Sequence, residues 1–133
     1  MSISGGCLCG QARYEVAAQP LLTGVCHCKN CQRQAGSAFS ILIGVPKPAV
    51  RLEGHLKTYV DTADSGRPVH RQFCETCGSP VFTQVPDQPD MTYIKAGTLD
   101  DTSSLQPQIH FWCDSAQPWV DIDSDVQKFP KNP

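Results

Sequence analysis

Seven of the eight cysteines of this chain fall in three short motifs: Gly6-Cys7-Leu8-Cys9-Gly10, Cys26-His27-Cys28-Lys29-Asn30-Cys31 and Cys74-Glu75-Thr76-Cys77-Gly78. An even number of cysteines in a small chain is open to two readings, a disulfide framework or metal ligation. Three features favour metal. The start Met1 to Cys7 has neither a basic nor an apolar leader region, the cysteines are tightly clustered, and a Cys-X-Cys pair is too close to bond to itself without strain. Thiolates converging at short spacing in a reducing compartment are what zinc selects. Two zinc ions are expected.

The first expected site joins the Cys-X-Cys pair Cys7 and Cys9 to the Cys-X-X-Cys knuckle Cys74 and Cys77. Four thiolates complete a tetrahedron, and the flanking glycines admit positive φ and let N–H groups approach the sulfurs. That is a closed, structural site. The second, Cys26, Cys28 and Cys31, gathers three thiols within six residues. Three protein ligands leave one position open, as in a catalytic or labile zinc; the alternative is that His27, His110 or Cys113 fills it. Spacing alone also permits another partition, with Cys7 and Cys9 joining the middle cluster.

Outside the cysteine motifs the signals are weaker. If residues 109–113 are extended, His110 and Trp112 share one strand face, and His110 is a candidate proton shuttle or a histidine that merely satisfies local hydrogen bonds. His27 reads as exposed between two ligands, and His55 and His70 have no supporting neighbours. Trp119 after Pro118 reads as a core anchor and Cys113 as a small buried hydrophobe. Lys29, Arg33 and Arg71 could attract an anionic substrate, but isolated positive charges are usually solvated surface, so none receives a binding role.

The elements that must hold these residues are strands. Ala12, Tyr14 and Val16 alternate with Gln11, Arg13 and Glu15, the period of a half-buried strand. Further strands are expected at Phe39 to Val45, Leu56 to Asp61, Val69 to Phe73, Val81 to Val85, Thr92 to Ala96, Ile109 to Trp112 and Trp119 to Ile122. Pro46 to Pro48, Asp64 to Gly66, Pro86 to Pro89 and Asp100 to Ser104 carry turn chemistry. The one helical stretch is short, about Lys29 to Ala35. With 133 residues, no repeat and no low-complexity run, the chain reads as one all-β domain over residues 1–133 with short sheets. Its 11 basic and 13 acidic residues give a net charge of −2, which offers no footprint for nucleic acid or an anionic membrane. No stretch approaches the roughly 20 apolar residues of a membrane span, and a cytoplasmic location is expected.

The order Gly-Gly-Cys-Leu-Cys-Gly, Cys-His-Cys-Lys-Asn-Cys, Phe73-Cys-Glu-Thr-Cys-Gly-Ser-Pro80, Pro107-Gln-Ile-His110 and Pro118-Trp119 resembles the glutathione-dependent formaldehyde-activating enzyme family, which includes centromere protein V. The resemblance spans about residues 5 to 130. It implies a β-tent fold, shared with a small-GTPase exchange chaperone, with structural zinc at Cys7, Cys9, Cys74 and Cys77. It also implies a labile, functional zinc at Cys26, Cys28 and Cys31. Cys113 lies outside the family pattern. The implied activity joins glutathione to formaldehyde to give S-hydroxymethylglutathione and is classed as a carbon–sulfur lyase.

Zinc with three thiolates carries a net charge near −1, so it polarises water or a carbonyl less than zinc held by neutral histidines. Such a site suits a fourth sulfur, held as thiolate beside its electrophile. The expected partner is a small thiol such as glutathione. Two other functions compete with the enzyme: a non-catalytic zinc module that binds a protein, and a zinc or redox sensor that releases metal when Cys26, Cys28 and Cys31 are oxidised. Nucleotide-binding loops, the serine-hydrolase elbow and the His-Glu-X-X-His helix are missing from the sequence.

Overall fold

A computed structural model describes residues 3–132, and they form two sheets and one short helix. The small sheet is antiparallel, with strand order β1 (Ile3–Gly6), β2 (Arg13–Val16), β5 (Val50–Glu53). The large sheet contains β3 (Leu22–Cys26), β4 (Ser40–Pro46), β6 (Lys57–Thr62), β7 (Pro68–Phe73), β8 (Pro80–Gln84), β9 (Met91–Lys95), β10 (Ile109–Phe111) and β11 (Gln127–Lys128). Their order across the sheet is β11-β10-β3-β4-β9-β8-β7-β6; β10 runs parallel to both β3 and β11, and every other pairing is antiparallel. The all-β class expected from the sequence is the one observed. Among the described residues no helix is long and apolar enough to cross a membrane.

The core lies between the sheets. Tyr14 and Val16 of β2, alternating with exposed Arg13 and Glu15, pack into one cluster with Ile43, Val45, Phe82, Ile94 and Leu99. Two sheets approach closely where a bridge joins Gly5 to Leu99. A Cβ on Gly5 would run into the Thr98 carbonyl oxygen and the Tyr14 ring, so only glycine fits there. The Tyr14 hydroxyl is paired with Thr98 Oγ1 at 2.8 Å, which satisfies the one polar atom of that buried ring.

Strand alternation then decides what the other face of the large sheet carries. Ile43 and Ile94 are paired on the core side. On the opposite side register places Cys26 against Ser40, Leu42 against Lys95, and Tyr93 against Thr83, which in turn faces Arg71. The helix α1 (Lys29–Ala35) brings a third cysteine to this group, because Cys31 and Gln32 are its buried residues. Cys28 caps it, its sulfur accepting from Cys31 N–H at 3.3 Å. Gly36 ends it in the left-handed conformation, with Ser37 N–H bonded to Gln32 O and Gly36 N–H to Arg33 O, the pair of bonds that defines a Schellman stop.

Two expectations fail here. Trp119 to Ile122 forms no strand: Val120 N–H bonds back to Gln117 O, a turn that Pro118 favours because it has no N–H to give a ladder. Trp119 is consequently 72% exposed and anchors no core. The strand at Ile109 stops at Phe111, because Trp112 takes a left-handed φ of 57°, so the alternation that put Trp112 beside His110 does not continue.

Candidate metal centres

Each cluster is held by its own local turn. In the first, Cys7 N–H bonds to Ala12 O, and Gly10, at φ 84°, returns its N–H to Cys7 O at 3.2 Å. In the knuckle, Cys74 N–H bonds to Ser79 O, and Gly78, at φ 80°, donates to Cys74 O at 2.8 Å. These turns bring the sulfurs of Cys7, Cys9, Cys74 and Cys77 within 4.8 Å of one another. Cys7 and Cys9 sulfurs are 3.6 Å apart and those of Cys9 and Cys74 3.7 Å. A tetrahedron with zinc–sulfur bonds of about 2.3 Å has edges of about 3.8 Å, so the donor set fits that ion.

Around these sulfurs lies a shell of donors. Ala12 N–H reaches Cys7 Sγ, Gln11 Nε2 and Thr76 N–H reach Cys74 Sγ, each at 3.4 Å, and Ser79 Oγ sits 3.3 Å from Cys77 Sγ. The Ser79 hydroxyl and N–H hold the Cys77 thiol down at about 5. Donors aimed at sulfur stabilise thiolate, the form that binds metal.

The second cluster has three members and no fourth. The sulfurs of Cys26, Cys28 and Cys31 lie within 4.8 Å of one another, and among the described residues no histidine nitrogen, carboxylate oxygen or further sulfur joins them at that distance. Three thiolates of this kind could hold a metal ion with one position left for another ligand. The three share protons strongly: hydrogen bonds from Cys26 and Cys28, with the charges of Arg71 and Lys95, drive Cys31 toward thiolate, while the same bonds drive Cys26 upward.

The residues weighed for the missing position are elsewhere. His27 is 0% exposed, a correction to its reading as surface, and its Nε2 meets His110 Nδ1 at 2.8 Å in a stacked pair. Burial and then His110 push His27 below the ordinary histidine range. His27 Nδ1 is buried without a partner. Cys113 is half-buried with its sulfur 3.7 Å from His110 O, and it belongs to neither cluster. Gln32 locks the histidine pair's surroundings: its Nε2 donates to His27 O and Ser115 O, and Gln117 donates to its Oε1.

Two residues were misread or missed. Arg71 is 5% exposed, donates from Nε to Asp61 Oδ2 at 2.9 Å and lies against Cys31, so it is no solvated surface charge; Lys29 and Arg33 are exposed as expected. Lys95, given no role, is 6% exposed, bonds Ser40 Oγ at 2.6 Å and is pushed down to about 8 by burial. Arg71 shares the parity of apolar Val69 and Phe73 in an alternating strand, which was the available signal for the first. For Lys95 the signal was its place inside the strand expected at Thr92 to Ala96, between Ile94 and Ala96.

A mostly β domain with a four-cysteine cluster and a three-cysteine cluster, both able to hold metal, is thus the class that fold and site define. Residues 2–115 match the family model for the glutathione-dependent formaldehyde-activating enzyme. The chain belongs to that family. Similar proteins agree: one from Halomonas elongata named "Putative glutathione-dependent formaldehyde-activating enzyme" is 26% identical over 96% of this chain and 85% of its own length. One of the same name from Aspergillus flavus is 26% identical over 77% of this chain and 56% of its own length. The crystal structure of a Rhodobacter sphaeroides protein shares the fold, with a TM-score of 0.58 and 22% identity over 78% of this chain and 91% of that one.

Proposed function

We propose that the chain is a zinc protein of thiol chemistry, which joins a small thiol, glutathione in the first instance, to formaldehyde or a related small electrophile. The reaction class would be carbon–sulfur lyase. One observation carries the reading: three converging sulfurs find no fourth ligand among the described residues, and the charges of two buried cations, Arg71 and Lys95, act on Cys31. The first zinc would be structural, on Cys7, Cys9, Cys74 and Cys77. The second, labile, would be held by Cys26, Cys28 and Cys31, where it supplies a position for the thiol as thiolate.

The chain's own residues then have defined tasks. Cys26 from β3 and Cys28 and Cys31 from the start of α1 fix the position at which the substrate sulfur is presented. Arg71 and Lys95 offset the negative charge that three thiolates and a fourth sulfur concentrate in a partly dry site. Lys95 Nζ, held by Ser40 Oγ, keeps a proton at neutral pH and is the available donor to the oxygen that becomes the hydroxyl of the adduct. Eight unpaired cysteines suit a reducing compartment such as the cytoplasm.

Zinc-loaded protein should speed formation of S-hydroxymethylglutathione from glutathione and ¹³C-formaldehyde, seen by exchange NMR. X-ray absorption should also show sulfur coordination at the second metal rising from three to four. If saturating glutathione left both unchanged, the reading would fail.

A further inference from the structure

The two edges of the large sheet differ. At one end β11 is two residues long. At the other, β6 runs for six residues in unbroken register with β7, with neither a bulge nor a proline, the devices that usually keep an edge from pairing. Its side chains are bare on both faces: Tyr59 is 61% exposed on the side that carries Arg71, and Val60 is 64% exposed on the other. An aromatic and a β-branched residue standing in water on an open edge are the composition of a strand that finds a partner.

The backbone of β6 divides by parity. Ala63 N–H bonds to Arg67 O at 2.8 Å, and hydrogen-bonded pairs recur at every second residue of an antiparallel ladder, so Lys57, Tyr59 and Asp61 turn their N–H and C=O toward β7. Thr58, Val60 and Thr62 turn theirs outward. Thr62 is already covered, its N–H by Asp61 Oδ1 at 2.8 Å and its carbonyl oxygen by Asn30 Nδ2 at 3.2 Å. That leaves Thr58 and Val60, and among the described residues no strand pairs with this side of β6.

We propose that β6 is a self-association edge, on which a second copy of this chain pairs antiparallel through its own β6. One register suits it. With Thr58 opposite Val60 of the second copy, and Val60 opposite its Thr58, each pair exchanges both N–H···O=C bonds and all the outward groups of these residues are satisfied. The same register sets Tyr59 against Tyr59 on the two-fold axis and Lys57 against Asp61 on either side of it. Lys57 is exposed and has no ionic partner among the described residues, so the match supplies one. Sliding one strand by two residues either way loses both charge pairs. The tyrosines meet on the face where Tyr59, Arg71 and Phe73 line a cleft, so the second copy braces its outer wall. So short a contact makes a reversible dimer.

Sedimentation velocity on zinc-loaded protein, from low micromolar to near-millimolar concentration, should show monomer giving way to dimer. Amide exchange followed by NMR at the two extremes should slow at Thr58 and Val60 as the dimer fills, while Tyr59, already bonded to β7, keeps its rate. Val60→Pro removes an N–H that faces outward, a change an edge strand accepts, and should leave a folded monomer over the whole range. Lys57→Glu sets like charges opposite each other twice and should weaken association about tenfold with the fold intact; it decides the matter if Val60→Pro does not fold, and an unchanged affinity counts against the pairing. A wild type that stays monomeric overturns the proposal and leaves the edge to an extended segment of another protein. A dimer that survives Val60→Pro, or one in which Thr58 and Val60 exchange as fast as in the monomer, overturns it too, because the contact then lies elsewhere.

Discussion

Cys9→Ala isolates the work of the first cluster, because Cys9 is its exposed member and contributes little packing that a surface substitution would disturb. What it contributes is a link between the amino-terminal turn and the knuckle, and Cys9 and Cys74 are 65 residues apart. Closing a loop of that size removes about 4 kcal/mol of chain entropy from the unfolded state. A chain of 133 residues unfolds with an entropy of about 0.28 kcal/mol/K near 60 °C, so losing the link lowers Tm by about 14 °C. A three-sulfur remnant yields its metal to a mild chelator, whereas four sulfurs retain it. Thermal unfolding by calorimetry, with chelator present and with zinc counted per chain, should show this drop together with the loss of one zinc. Cys113→Ala, in neither cluster, serves as the control and should move neither quantity. A Cys9→Ala protein that kept its full metal content and a Tm within about 3 °C of wild type would refute the cross-link, and with it the first cluster as a structural centre.

Cys26→Ala should also release one zinc, but its cluster closes a loop of only five residues, from Cys26 to Cys31, so the entropic loss is about 2 kcal/mol. Thiol binding followed by calorimetry should vanish while Tm falls about half as far as in Cys9→Ala. Tyr14, buried and raised to about 12 from 10, favours the fold while neutral; its contribution is whole below pH 10 and is lost as pH rises through 12. That loss is about 3 kcal/mol, and urea titrations from pH 9 to 12 should show Tyr14→Phe lacking that alkaline decline, at a cost of about 1 kcal/mol at pH 7 for the bond to Thr98. Gly5→Ala should destabilise by about 1–3 kcal/mol, read from the urea midpoint, because Thr98 and the Tyr14 ring occupy the space of the new methyl group. An unchanged midpoint would mean that the two sheets do not meet there.

What could be read from the residues themselves was what depends on local pattern. The alternation of Ala12, Tyr14 and Val16 gave a strand and its buried face, and Lys29 to Ala35 is helical over the range expected. Strands whose neighbours stabilise them were invisible. Ile3–Gly6 ends in two glycines and is a strand because it pairs with β2; Thr98 and Tyr14 leave no room for a side chain at Gly5, and Ala12 and Arg13 none at Gly6. Leu22–Cys26 is buried on both faces, so it shows no alternation, and Gln127–Lys128 exists only by pairing with β10. Val50–Glu53 is short, polar and almost wholly exposed. Spacing left the partition of the cysteines open, and the geometry divides them four and three. The burial of His27, Arg71 and Lys95 belongs to the tertiary arrangement: each is polar and would be placed in water by its type alone.

The unequal reach of the two clusters has a consequence for how the protein is made. The three thiols of the second are complete once Cys31 has emerged from the ribosome, whereas the first waits for Cys77, later by 77 − 31 = 46 residues. At roughly 5–20 residues per second that interval lasts about 2–9 s. Until Cys74 emerges, the nascent chain carries five thiols and only one completed ligand set, and Cys7 and Cys9 have no knuckle to meet. The hairpin of β1 and β2, closed by Cys7 N–H on Ala12 O, is a local element that can hold Cys7 and Cys9 in their turn during that interval. If both clusters take metal as proposed, the order of loading is a matter of timing in translation, set by where along the chain each half-site is encoded.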